Sequence, residues 1–271
     1  MRQQISIDRV RAQAFEIPTD QPEADGTMGW NSTTLIVVEV FGAGEAGLGY
    51  TYSSASIVKL ITEKLASVIE GTDAFHPQTA WLAMQRAVRN LGREGLAATA
   101  ISAVDSAVYD LKARVLGTPL FLMLGSYRDA VAIYGSGGFT SYSDEMLQRQ
   151  LSGWVSDQGC AFVKMKIGSQ PERDLDRVCA AKRAIGDRAI LFVDANGAYG
   201  VQQALAFANE FAAQQVGWFE EPVSSDNLPG LRAVRNGAPA GMEIAAGEYA
   251  YTIDYVRQML ASHAVDVQQA D

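Results

Sequence analysis

The chain has 271 residues, 48% of them apolar, with 25 glycines, 8 prolines and a formal net charge of −9. That length supports one or two globular domains with a large core, and the negative charge argues against nucleic acid or an anionic membrane surface as a partner. No run of 18 or more apolar residues occurs, so no spanning helix is expected. The N-terminus lacks an apolar stretch of the secretory kind, and Cys160 and Cys179 lack metal-type spacing. Each is expected to be a buried thiol, in a reducing cytoplasm.

In chain order, residues 5–10 alternate weakly. Residues 18–31 are polar and turn-rich, and residues 33–40 form a β-branched strand. A turn over 42–49 and a returning strand to Tyr52 complete a small antiparallel sheet. Helical spacing follows over 56–70, 79–90 and 96–116, the last ended by Gly117 and Pro119. The first half therefore reads as an α+β domain, residues 1–128.

From residue 129 the rhythm becomes strand then helix. Strands are expected at 131–138, 162–167, 189–194, 216–220, 243–248 and 264–271, about thirty residues apart. Apolar strands in such units pair in parallel with both faces buried. Six units fit either a doubly wound sheet or a (β/α) barrel lacking two strands.

Charge placement favours the barrel. Lys166, Asp194, Glu220, Glu248 and Asp271 each end an apolar strand, about 23–28 residues apart, and barrel strand ends open onto one face. Asp194, Glu220 and Glu248 then place three carboxylates together, a repulsion that a divalent cation relieves. Oxygen ligands without His or Cys suit one Mg²⁺ per site, or Mn²⁺, over Zn²⁺. Lys164 and Lys166 share one face of their strand, and two ammonium groups so close are expected to lower each other's proton affinity. A lysine base beside a metal suits removal of the proton α to a carboxylate, through an enediolate.

Val163-Lys164-Met165-Lys166, Val193-Asp194-Ala195-Asn196, Phe219-Glu220-Glu221-Pro222 and Gly247-Glu248 together closely resemble the mandelate racemase group of the enolase superfamily. Residues 95–105 resemble part of that group's capping domain. The resemblance spans the chain and implies an α+β capping domain, residues 1–128, before a modified (β/α) barrel of the enolase type, residues 129–271, with about six of its eight strands present. It implies Asp194, Glu220 and Glu248 as metal ligands, Lys166 as the base, and Lys164 as its neighbour on the substrate carboxylate. Asn196 matches a residue near the substrate. Glu221 is expected just outside the ligands, orienting Lys164 or Glu220. Asp271 matches an aspartate that pairs with a histidine on the next strand. Neither His76 nor His263 is placed to replace that histidine.

The chain is accordingly expected to be a fragment, poorly soluble or inactive alone, whose extended form is active and homo-oligomeric. The polar stretch 19–30 is expected to close over the barrel mouth, with Trp30 against the substrate. A hydroxylated small carboxylate then fits best, and dehydration of an aldonic or aldaric acid is the expected reaction. Racemisation or epimerisation of a 2-hydroxy acid, an inactive binding form, and a phosphate-binding barrel of another family are the alternatives.

Overall fold

The computed structural model of the chain describes residues 4–270. These fall into two compact units: the residues up to Thr19 with Ser32–Ala130, and Asp20–Asn31 with the residues from Val131 onward. The second unit thus takes in residues 20–31 as well as the barrel region that a cut at 128 would assign to it.

The first unit is built on the strands β1 (Arg9–Ala24), β2 (Gly29–Gly42) and β3 (Glu45–Tyr52), in that order across the sheet. Ile36, Val38 and Val40 alternate into the core, as period two requires. The β2–β3 turn is shorter than the sequence suggests. Ala43 and Gly44 both have positive φ, 52° and 81°, the signature of a two-residue turn whose twist matches the strands, so β3 begins at once.

Residues 18–31, expected as turns, lie mostly in β1 and β2. Pro18 is accommodated because β1 is an edge strand of the sheet.

The next segment runs α1 (Ile57–Lys59), a π-helical turn (Leu60–Leu65) and α2 (Ala66–Ile69). Its buried Ile57, Ile61, Leu65 and Ile69 recur every fourth residue, and the wider π turn keeps a period of four on one face. Helix α3 (Pro77–Ala87) starts with proline at its first turn, where His76 Nδ1 lies 3.2 Å from Asp73 Oδ2. Helix α4 (Leu96–Val115) buries Ala100, Ile101, Val104, Val108 and Leu111, and the short α5 (Leu120–Met123) follows it.

On α4, Asp105 Oδ1 is buried without a partner, and burial pushes its carboxyl up to about 6. A raised acid stabilises the fold most below its unfolded value, and that contribution is lost as pH rises through the folded value. Asp105→Asn is therefore expected to raise the melting temperature at pH 8 and to leave it unchanged near pH 3. Thermal unfolding across that range reads the difference.

The second unit alternates β4 (Gly135–Gly137), α6 (Asp144–Ser156), β5 (Phe162–Lys166), α7 (Pro171–Ile185), β6 (Ile190–Asp194), α8 (Val201–Ala212), β7 (Val216–Glu220), α9 (Leu228–Gly237), β8 (Glu243–Ala246), α10 (Ile253–Ala261) and β9 (Val267–Gln268). The six strands pair in parallel in sequence order.

Their two faces differ, against the expectation of apolar strands on both sides. Val163, Met165, Leu191, Val193, Phe219 and Ile244 pack in the main core with Leu151, Val178, Phe211 and Val234 of the helices. The opposite face carries Lys164, Lys166, Phe192, Asp194, Trp218 and Glu220. Strand β4 is shorter than expected because Val131 and Ile133, 70% and 67% exposed, bury no face. No helix among the described residues is long and apolar enough to cross a membrane. Cys160 is buried, but Cys179, expected to be buried as well, is only partly so.

Candidate active site

Parallel register builds the site in rows. Lys166 is level with Asp194, and Asp194 with Glu220, so three charged side chains stand on adjacent strands about 4.8 Å apart. One row below, Lys164 is level with Phe192, and Phe192 with Trp218. Phe192 and Trp218 stack at 5.1 Å, and this aromatic row floors the charged one.

Glu248 reaches the cluster differently. It lies beyond the end of β8, whose Ala245 is level with Glu220. Gly247, at φ 149°, turns the chain there, and a Cβ on it would collide with the Gln269 carbonyl. Only glycine permits both. Carboxylate oxygens of Asp194, Glu220 and Glu248 come within 4.8 Å of one another.

The lysines neutralise part of this charge. Lys166 Nζ donates to Asp194 Oδ2 at 2.5 Å. Lys164 Nζ donates to Glu220 Oε1 at 2.7 Å and lies 3.4 Å from Asp194 Oδ2. Burial works to lower the Lys164 pKa, but Asp194 and Glu220 outweigh it and the net shift is upward. This reverses the sequence expectation for Lys164, because two carboxylates in contact overcome one neighbouring ammonium.

Burial also opposes ionisation of Asp194, yet Lys166 and Lys164 hold its carboxyl below the ordinary range. Glu220 moves the other way, since burial and the Asp194 charge outweigh Lys164. Trp218 Nε1 donates to Glu220 Oε2 at 3.0 Å, fixing that carboxylate. The sequence reading missed Trp218, although its place two residues before Glu220 puts both on one strand face.

Glu221 is nearly fully buried, at φ 37°, with Oε1 unpartnered. Burial, then the charges of Glu248, Asp194 and Glu220, push it up to about 8. Its carboxylate makes no hydrogen bond to Lys164 or to Glu220, so the expected orienting contact is absent among the described residues. Asn196, at φ 46°, donates from Nδ2 to Glu248 Oε1 at 3.1 Å, while its Oδ1 is buried without a partner.

This donor set fits a hard divalent cation. All its ligand atoms are carboxylate oxygens, gathered within 4.8 Å of one another, the donor type that Mg²⁺ takes.

Residues 25–28 form a turn beside the ends of β5 and β6. Asp25 Oδ1 accepts from Thr27 N at 2.6 Å and Met28 N at 2.8 Å, and Thr140 Oγ1 donates to Asp25 O at 2.7 Å. Gly26 sits against the backbone just past the strand ends of Lys166 and Asp194. A Cβ there would meet the Ala195 carbonyl and come within 2.6 Å of the Ile167 carbonyl. Gly26→Ala is therefore expected to cost about 1–3 kcal/mol through overpacking, read as a lowered melting temperature.

Trp30 stands back from this tip on β2. Its indole N–H donates to Glu23 Oε2 at 2.8 Å and its ring meets Phe139 edge-on at 5.6 Å. It braces the hairpin through these contacts. Asp271 lies outside the described residues.

Two family models match this chain. Residues 10–125 match the mandelate racemase/muconate lactonizing enzyme N-terminal domain, and residues 146–271 match the enolase C-terminal domain-like family. A curated relative from Streptomyces coelicolor, 3,6-anhydro-alpha-L-galactonate cycloisomerase, is 34% identical over 91% of this chain and 70% of its own length. Further relatives, between 27% and 29% identical, include dehydratases of arabinonate, L-talarate/galactarate, D-gluconate and L-rhamnonate.

Among solved structures, a mandelate racemase/muconate lactonizing enzyme-like protein from Rubrobacter xylanophilus is 50% identical at TM-score 0.95, over 98% of this chain and 74% of that one. A racemase from Streptomyces coelicolor A3(2) with bound magnesium is 31% identical at TM-score 0.92, over 97% and 74%. With its antiparallel N-terminal sheet, its parallel enolase-type barrel strands and an acidic cluster able to hold a metal ion, the chain belongs to the mandelate racemase/muconate lactonizing enzyme family of the enolase superfamily.

Proposed function

We propose that this protein is a Mg²⁺-dependent acid-sugar dehydratase that begins by removing the proton α to the substrate carboxylate. The observation that carries this reading is the meeting of Lys166 with Asp194, level with Glu220, at the ends of adjacent strands. Asp194, Glu220 and Glu248 hold the ion, which when bound supplies positive charge against the negative charge that develops on the substrate carboxylate.

Lys166, as the neutral amine, accepts the α-proton while the C–H electrons pass into the carboxylate. Lys164, whose pKa is raised by the carboxylates around it, stays protonated and faces the substrate carboxylate as a fixed charge. Asn196 Oδ1, buried and unpartnered, accepts from a substrate hydroxyl. The β C–O bond then breaks, and the proton held by Lys166 leaves with the hydroxyl as water.

The test is incubation of the extended form with MgCl₂ and a panel of aldonic and aldaric acids in D₂O. The expected result is a 2-keto-3-deoxy product formed only with metal, lighter than its substrate by one water apart from the solvent deuterium taken up at C3. Absence of both α-hydrogen exchange and product across the panel would sink the reading. The name of the 34% identical relative favours a second outcome, cycloisomerisation. It shares the proton abstraction but conserves mass, so mass spectrometry of the product separates the two.

A further inference from the structure

Lys166 and Asp194 owe their meeting to more than sheet register. On helix α7, facing the strands, Asp174 is buried with 1% of its surface exposed. Its Oδ2 accepts two hydrogen bonds, from Gly168 N at 3.0 Å and from Tyr199 Oη at 2.5 Å. Gly168 lies two residues after Lys166, and Tyr199 lies five residues after Asp194. One carboxylate therefore joins the loop that follows the lysine strand to the loop that follows the aspartate strand.

Three residues further along α7, on the same face, Arg177 is also buried. Its Nη1 donates to Tyr142 O at 2.9 Å and its Nη2 to Phe139 O at 3.1 Å. That anchors the loop after β4, whose Gly138 carbonyl accepts from Lys166 N at 3.0 Å. The Tyr199 ring is held independently, against Phe207 at 4.9 Å and Phe219 at 6.2 Å, so its hydroxyl is aimed rather than free.

A buried charge is costly unless its hydrogen bonds fix something. Burial does raise the Asp174 pKa, with the Tyr199 hydroxyl and the Gly168 N–H working against it. A leucine would fill the same space without that cost.

We propose that Asp174 and Tyr199, backed by Arg177, are positioning residues that hold Lys166 Nζ against the Asp194 carboxylate by clamping three consecutive strand–helix loops. The functional weight of this clamp rests on the roles proposed for Lys166 and Asp194, but the clamp itself can be read without metal or substrate.

The experiment measures how fast an amine-acylating reagent labels Lys166 in the metal-free chain, by peptide mass spectrometry. Lys59, with 77% of its side chain exposed, serves as the internal reference. Tyr199→Phe removes one hydroxyl and keeps the ring packing. It is expected to raise the Lys166 rate about tenfold, the low end of what an outer-shell partner contributes at a site, with the Lys59 rate unchanged and the melting temperature lowered only by the loss of one hydrogen bond to a buried carboxylate. Asp174→Ala is expected to do the same or more, and Asp174→Asn, which keeps an acceptor oxygen, to restore the rate to within about twofold of wild type.

An unchanged Lys166 rate in Tyr199→Phe overturns the proposal, even if Asp174→Ala fails to fold. So does an equal rise at Lys59, which marks general loosening. A parallel Mg²⁺ titration of the wild-type chain separates the two readings: no uptake of the ion defeats the proposed function, while the labelling rates decide the clamp in either case.

Discussion

Lys166→Ala is expected to lower turnover by roughly 10²–10⁴-fold, the range for removing a general base, and to eliminate exchange of the substrate α-hydrogen with solvent deuterium. Mg²⁺ binding is expected to survive. Lys166 is not a ligand, and its removal leaves Asp194 with Lys164 at 3.4 Å, so no buried carboxylate is stranded. Calorimetric Mg²⁺ titration and NMR of the α-hydrogen, run on the same preparation, check both halves. Persistence of full exchange in the alanine variant would move the base to Lys164. That outcome conflicts with the upward shift of Lys164, which opposes its release of a proton.

Glu220→Gln separates the metal-binding reading from a structural one, because the two predict opposite signs. Glu220 is almost completely buried and its pKa is raised by burial and by Asp194. Its protonated form therefore favours the metal-free fold, a contribution lost as pH rises through the raised value. Glutamine mimics the protonated acid and keeps an oxygen for Lys164. The metal-free variant is expected to melt no lower than wild type at pH 7.

Magnesium reverses the comparison. At 100 times its dissociation constant, Mg²⁺ stabilises wild type by about 2.7 kcal/mol. Losing one of three carboxylate ligands is expected to weaken binding about 100-fold or more, removing most of that gain. Thermal unfolding of both proteins with and without MgCl₂ gives the four melting temperatures needed. If Glu220 served only as an ion-pair partner of Lys164, the variant would be the less stable protein without metal, and added Mg²⁺ would change neither.

Much of the barrel was legible residue by residue. Strands such as Phe162–Lys166 and Ile190–Asp194 combine β-branched or aromatic runs with a polar residue at the last position, and each repeats after a helix. The long apolar face of α4 was equally plain. Residues 18–31 misled because their strand pairing is paid in long-range contacts. Thr140 donates to Ala24 and Asp25 carbonyls, Ser141 donates to Pro22, and Gly26 seats on Ala195 and Ile167. None of these partners is near in sequence, so local propensity registered only the turn formers.

The lysine pair shows the same division. Alternation alone placed Lys164 and Lys166 on one face, and the strand period alone brought Asp194 and Glu220 to the same level, because both follow from fixed backbone repeats. The sign of the Lys164 shift did not follow. It depends on oxygens 2.7 Å and 3.4 Å away on two other strands, and electrostatic energy is set by distance and burial rather than by residue type. The return of Glu248 through Gly247, the unpartnered oxygens of Asn196 and Glu221, and the joining of two loops by Asp174 were likewise decided only when the strands closed on one another. The sequence by itself determined which groups could meet; the packed sheet determined how far apart they stand, and therefore what charge each one holds.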